Sequence, residues 1–222
     1  MNSRGSLRTA DGSLTFFNQE AGETYHSVTG AFEEAFGKFI APSGIDRLAS
    51  RPFVVFDICF GLGYNTAAAL HTFLEHATET GFIEIYAFEI DKWIISQAAK
   101  INVPESIDGT YFAARALVKH GSVYSDNFSL NLLVGDVRKT LPRLRLRADL
   151  VFLDPFSPKH APDLWQPGFI TEVRNHMLPG AVLTTFSCAR PVREALRANG
   201  FEVSDGPRIG RRGPSTVAKV FK

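Results

Sequence analysis

Four acids stand where apolar runs of the sequence end, and each run is long enough to be a strand. Asp57 closes Phe53-Val-Val-Phe, and Glu89 closes Phe82-Ile-Glu-Ile-Tyr-Ala-Phe. Asp136 follows Leu130-Asn-Leu-Leu-Val-Gly, and Asp154 follows Asp149-Leu-Val-Phe-Leu. Gly61 and Gly63 lie between the first run and an alanine-rich segment from Thr66 to His76. Glycine permits dihedrals and close approaches that a Cβ forbids, and such a loop at a helix start aims free N–H groups at a ligand. An acid after the second strand can accept from both hydroxyls of a ribose. Asp136 is placed to accept from an adenine amino group, although a helix N-cap before Val137-Arg-Lys is an equally good reading. Together at one sheet edge, these groups favour an adenosine site over a set of unrelated turns.

Asp154-Pro155-Phe156 adds a second kind of chemistry. An alkylamine is mostly protonated at neutral pH and is then no nucleophile. A carboxylate can hold the amine, orient its lone pair, and accept or relay its proton. Pro155 stiffens the turn, and Phe156 offers a ring face to a base or a cation. The alternative is a structural Asp-Pro turn, and the position at the end of the fourth strand favours function. Cys59 and Cys188 read as small buried hydrophobes. No Cys/His spacing suggests zinc, so no metal is expected.

The elements that must hold these groups follow from periodicity. Apolar runs predict strands over 53–57, 82–89, 130–134, 149–153, 181–187, 201–203 and 216–221. Helical patterns fall over 66–76, 92–101, 111–120, 137–146, 164–177 and 191–199. The alternation implies right-handed βαβ units in an α/β fold, a doubly wound, Rossmann-like sheet of about seven strands whose last one is antiparallel. Residues 1–50 read as an extension of the same unit. It holds a hairpin turning at Asp11-Gly12 and a helix over 30–40 whose Phe32, Phe36 and Phe39 face a core. Residues 51–222 form the Rossmann-like domain, whose ligands bind beyond the strands' carboxyl ends.

A dinucleotide fingerprint requires a third glycine where this chain has Thr66, and no Gly-Lys-Ser/Thr of a phosphate loop follows. What remains is the class I S-adenosylmethionine pattern, acid-x-G-x-G-x-G, matched by Asp57-Ile-Cys-Phe-Gly-Leu-Gly with Cys59 in place of the first glycine. Asp154-Pro155-Phe156 resembles the Asp/Asn-Pro-Pro-Tyr/Phe motif of methyltransferases that act on amino groups. From about Thr9 to Val220 the chain resembles the methyltransferase half of the bifunctional tRNA enzyme MnmC. The carriers are Thr9-Ala-Asp-Gly-Ser, Gly22-Glu-Thr-Tyr-His-Ser, the glycine loop through Asn65, Phe88-Glu, Gly135-Asp, Phe152-Leu-Asp-Pro-Phe-Ser-Pro and Pro162-Asp-Leu-Trp.

The resemblance implies that Tyr25, Asp57, Gly61, Gly63, Asn65, Glu89 and Asp136 bind S-adenosyl-L-methionine and that Asp154 is catalytic, flanked by Pro155 and Phe156. It further implies methylation of an aminomethyl group on a tRNA wobble uridine. The chain departs from the family at His160-Ala161, where Lys-Asn is frequent, and at Arg208-Ile-Gly-Arg-Arg-Gly-Pro-Ser. The FAD-dependent oxidase half is not in this sequence, so the implied precursor comes either by another route or from a separate FAD-dependent oxidase acting upstream as a partner. His160 and Trp165 are candidates to stack on the target base, with a core role for Trp165 at least as good a reading. Arg208, Arg211 and Arg212 are the candidate phosphate contacts, whereas the basic residues of 138–147 read as a solvated face.

Composition excludes several other classes. At 222 residues the chain reads as one domain, and 45% hydrophobic with 21% charged residues is ordinary for a globular protein. A net charge of +1 gives no global push toward nucleic acid or membrane. The start, Met1-Asn-Ser-Arg-Gly-Ser, lacks the apolar core of a signal peptide, and no stretch approaches the ~20 residues of a membrane span. A cytoplasmic protein is expected, consistent with two isolated cysteines. Two other functions fit the same residues: a methyltransferase for small-molecule amines, and a non-catalytic subunit that binds S-adenosylmethionine or RNA.

Overall fold

The computed structural model describes residues 5–221 apart from Asn102, Pro104 and Arg211. Arg211, one of the expected phosphate contacts, therefore lies outside the described residues. The chain opens with a three-stranded antiparallel ribbon of β1 (Ser6–Arg8), β2 (Leu14–Asn18) and β3 (Glu23–Thr24). The Asp11-Gly12 turn lies between β1 and β2, with Gly12 at φ 83°. Asp11 Oδ2 accepts the Phe32 and Glu33 N–H groups and so caps α1 (Ala31–Glu34). α1 continues as a π-helical turn over Ala35–Ile40, and α2 (Ile45–Leu48) leads into the main sheet.

From there strands and helices alternate. They are β4 (Pro52–Ile58), α3 (Tyr64–His76), β5 (Phe82–Glu89), α4 (Lys92–Ala98), α5 (Glu105–His120), β6 (Ser122–Tyr124) and β7 (Phe128–Val134). α6 (Val137–Thr140), β8 (Ala148–Leu153), α7 (Pro167–Asn175), β9 (Met177–Thr185), α8 (Arg190–Ala198), β10 (Phe201–Asp205) and β11 (Thr216–Val220) complete it. Among the described residues the main sheet has eight strands in the order β10-β11-β9-β8-β4-β5-β7-β6. β9, β8, β4, β5 and β7 are parallel neighbours, and β11 runs antiparallel to β9 and β10, as expected of the last strand.

The unexpected eighth strand is β6, a three-residue edge paired antiparallel to β7. The helix expected over 164–177 is instead a 3-10 turn, Pro162–Trp165, and then α7, with Met177 already in β9. Pro167 explains the restart, because its missing N–H costs nothing in a first helical turn.

Both faces of the sheet are covered. Phe53 and Val55 of β4 share a buried cluster with Leu70 and Phe73 of α3 and with Phe39 and Ile45 of the N-terminal region. Phe56 and Ile58, pointing the other way, pack with Val173, Leu196 and Val220. Each such side chain contributes about 1.5–3 kcal/mol on burial.

Gly63, at φ 82°, starts α3, and a Cβ there would lie 2.5 Å from Phe60 Cζ. Gly63→Ala should destabilise the protein by about 2 kcal/mol or more, combining left-handed strain with that clash. Thermal unfolding checks this, and an unchanged melting temperature would contradict it.

Candidate active site

β4 is followed along the sheet by β5 and β7 in one direction and bordered by β8 and β9 in the other. The switch in strand order therefore lies between the tips of β4 and β8, where ligands of such sheets bind. Asp154 N donates across this gap to Ile58 O at 3.1 Å. Two cavities open here, of about 850 Å³ and 240 Å³. They share Cys59, Glu89, Ile90, Ala161 and Leu164 as walls.

The glycine loop is fastened to β5. The Cys59 and Phe60 N–H groups both donate to Phe88 O, and Gly61 N donates to Glu89 Oε2 at 2.8 Å. Cys59 is the one described non-glycine residue at positive φ, 70°, so it takes the backbone conformation that a glycine would take there. Burial, reinforced by the charges of Glu89 and Asp154, pushes its thiol well above the usual range, so it is not a thiolate nucleophile. Gly61 borders the larger cavity, and a Cβ on it would meet nothing closer than Tyr25 Cδ1 at 3.8 Å. It is a cradle that a side chain would fill.

Glu89 stands between the two cavities. Its Oε1 accepts the Ile90 and Asp91 N–H groups at 2.8 Å each. With Gly61 that makes three bonds, leaving one lone-pair site of a carboxylate for a ligand hydroxyl. Burial raises its carboxyl above the ordinary value, against the pull of those three amides. Asp136 borders the smaller cavity, but its oxygens accept the Arg138 N–H and the Arg138 guanidinium, which also reaches Asp163. It serves as the N-cap of α6.

Asp57 borders neither cavity. It is fully buried, with Oδ2 accepting from Thr66 Oγ1 at 2.6 Å and Oδ1 without a partner among the described residues. Burial pushes its carboxyl up to about 7 against that bond. Asp57 supports the loop from behind. Asn65 is likewise buried, and its Nδ2 donates to Asp154 Oδ2 at 2.9 Å, so it positions Asp154 from the first turn of α3.

Asp154, Pro155 and Phe156 line the larger cavity. The Tyr25 ring packs on Phe156 with centroids 5.0 Å apart, and its hydroxyl donates to Asp91 Oδ2 at 2.6 Å. Trp165 is buried, lines neither cavity, and donates from Nε1 to Phe156 O at 2.8 Å. The structure thus gives Trp165 the core role rather than a stacking one. His160 borders the smaller cavity, with Nδ1 2.7 Å from Glu23 Oε1. Glu23 also accepts from Ser157 N and Oγ, clasping the β3 ribbon to the segment after Asp154. Burial opposes it, yet these partners hold the Glu23 carboxyl below its usual range.

Gly210 reaches the rim of the larger cavity, and a Cβ there would lie 2.3 Å from Thr29 Oγ1. Arg208 and Arg212, two residues to either side of it, are exposed. Sequence reasoning missed Glu23, Glu34, Lys38, Ile90 and Leu164 as wall residues. The four-residue spacing of Glu34 and Lys38 was the one available signal, but it reads equally as a surface pair.

The donor set fits S-adenosyl-L-methionine. A carboxylate with a vacant acceptor site sits between a small pocket walled by Ile90 and Leu164 and a larger one floored by the bare Cα of Gly61. That division suits a ribose between an adenine and an aminoacyl tail.

Comparisons with known proteins agree. Residues 100–220 match the family model described as S-adenosyl-L-methionine-dependent methyltransferase. An uncharacterized protein of Methanocaldococcus jannaschii is 36% identical over 219 residues, covering 96% of this chain and 58% of that protein. The tRNA 5-methylaminomethyl-2-thiouridine biosynthesis bifunctional protein MnmC of Ralstonia nicotianae is 30% identical over 216 residues, covering 92% and 33%. This chain thus spans a little over half of the first relative and about a third of the second. The crystal structure of MNMC2 from Aquifex aeolicus superposes with a TM-score of 0.84 at 29% identity, over 100% of this chain and 71% of that one. Spermidine synthase from Thermotoga maritima, at 13% identity and a TM-score of 0.58, shares the fold. Among the described residues no helix is long and apolar enough to cross a membrane. The chain belongs to the S-adenosyl-L-methionine-dependent methyltransferases, as an MnmC-like member of that family.

Proposed function

We propose that this methyltransferase acts on the amino nitrogen of a 5-aminomethyl-(2-thio)uridine at the tRNA wobble position, giving 5-methylaminomethyl-(2-thio)uridine. The observation that carries this reading is the Asp154-Pro155-Phe156 turn, which faces the glycine loop across a cavity of about 850 Å³. The names of the MnmC relatives supply the tRNA context, which would put the reaction in the cytoplasm. The aminomethyl group has to be exposed beforehand, by another route or by an FAD-dependent oxidase.

S-adenosyl-L-methionine supplies a methyl group on cationic sulfur. Glu89 would accept a ribose hydroxyl with its remaining lone pair, and Ile90 and Leu164 would enclose the base. Asn65 fixes Asp154 Oδ2, which leaves Oδ1 to hold the amine and take its proton. Tyr25 and Phe156 wall the reacting groups from water and present ring faces to cationic groups.

Incubating the protein with labelled cofactor and tRNA bearing 5-aminomethyluridine tests the reading, with nucleoside mass spectrometry as readout. One added methyl on that nucleoside is the expected result. Transfer to free amines and none to tRNA would overturn it. Arg208→Ala and Arg212→Ala should each weaken tRNA binding irrespective of sequence and lower the slope of log affinity against log salt by about one. Filter-binding titrations measure this, and unchanged slopes would remove the loop from the interface.

A further inference from the structure

Glu34 and Lys38 are buried charges that the chemistry above does not use. Glu34 closes α1 and Lys38 lies in the π-helical turn that continues it. Glu34 is 8% exposed and Lys38 2%. Lys38 Nζ donates to Glu34 Oε1, and Glu34 Oε2 accepts the Ser27 N–H at 3.0 Å. Both side chains line the larger cavity with Asp154, Phe156 and Phe186. A buried ion pair carries a heavy desolvation cost, and apolar residues of the same volume often stabilise a fold as well or better. A π-helical turn is also a departure that recurs at functional positions. Both features call for a role at the cavity they face.

The other charged and polar groups around this end of the cavity define that role. Asp154 shares the cavity wall with Glu34 and Lys38 of the helical turn, whose charges act on it together with that of Asp57 in β4, and it accepts a bond from Asn65 of α3. Cys59 of the glycine loop stays a neutral thiol. His26, from the ribbon side, stands against Glu34 and Lys38, and burial lowers its ring to about 4, so it is neutral at physiological pH. Burial works against the Glu34 carboxylate, but Lys38 and the Ser27 amide keep it ionised. Burial, and after it the Glu34 charge, pushes the Asp154 carboxyl well above the ordinary range, while Asn65 and Lys38 pull it back.

We propose that the Glu34–Lys38 pair consists of positioning residues for proton transfer: the fixed Glu34 charge makes Asp154 keep its proton until positive charge enters the cavity, and Lys38 keeps Glu34 ionised. The inference rests on the assignment of Asp154 to the acceptor side. In the empty cavity burial and the Glu34 charge favour the protonated form of Asp154. It releases its proton from Oδ1 to solvent when a cation binds beside it, and the carboxylate then faces the acceptor ammonium. One N–H bond of that ammonium breaks, its electron pair stays on nitrogen, and the proton goes to Asp154 Oδ1. A like charge nearby makes that carboxylate the stronger base.

The test is a calorimetric titration with S-adenosyl-L-methionine at neutral pH in buffers of different ionisation enthalpy, which counts protons exchanged on binding. The wild-type protein should release up to about one proton more than Asp154→Asn, a control that also separates out any proton from Asp57. Glu34→Gln should release fewer protons than wild type. So should the double variant Glu34→Gln/Lys38→Met, which removes the pair without stranding a buried charge. In single turnovers with the tRNA acceptor, both should slow transfer about ten-fold and move the acid limb of the pH profile down by about one unit. Lys38→Arg keeps the pair and should restore the proton count. The proposal is overturned if the Glu34 variants release as many protons as wild type. If the wild-type protein leaves the tRNA unmethylated, the substrate reading falls, and the proton count still decides the role of the pair.

Discussion

Asp154→Ala is expected to lower turnover by about 10²–10⁴-fold, the contribution of a well-placed acid–base group, while leaving cofactor affinity largely intact. The carboxylate sits at the tip of β8, across the switch point from the glycine loop, and Asn65 holds one of its oxygens. Removing it strands the Asn65 amide, so Asp154→Asn is the cleaner partner variant, since it can still accept that bond. Single-turnover rates with labelled cofactor, alongside calorimetry, separate chemistry from binding. Near-normal turnover in either variant would show that the amine is handled elsewhere.

The second large effect concerns Glu89. Its carboxylate accepts three backbone N–H groups, from Gly61, Ile90 and Asp91, and so fixes the glycine loop and the start of α4 relative to each other. Glu89→Ala leaves those donors without an acceptor and removes the group placed for the ribose. A hydrogen bond to a charged group contributes about 1.5–3 kcal/mol, so cofactor affinity should fall about 10- to 150-fold. Glu89→Gln retains reach and part of the acceptor capacity, and its loss should be smaller. Calorimetric titration with S-adenosyl-L-methionine measures both, and wild-type affinity in the alanine variant would remove Glu89 from the cofactor site.

Much of this arrangement can be read from residue order. Parallel strands buried on both faces are continuous apolar runs, so β4, β5, β7, β8 and β9 announce themselves, and the acids at their ends come with them. β6 does not, because a three-residue strand on an exposed edge has no apolar run to detect. The π-helical turn is equally silent, since no residue type separates it from an α-helix. Glu34 and Lys38 were obscured by the phenylalanines around them, whose spacing marks a core-facing helix with charges assigned to solvent. They turn inward because the N-terminal ribbon roofs the space that they face, a fact held in tertiary packing alone. Asp136 illustrates the converse. Its local role as an N-cap was readable from Val137-Arg-Lys, and the structure commits its oxygens to that role and to Arg138.

The bridge that Glu23 makes to Ser157 and His160 bears on tempo. It fastens the ribbon to the segment after Asp154 at the wall of the larger cavity, which Glu23 itself lines. Should exchange of guests require that fastening to open, loading and unloading would set the pace apart from the bond-making step, and a first-turnover burst followed by slower cycling is the expected kinetic trace.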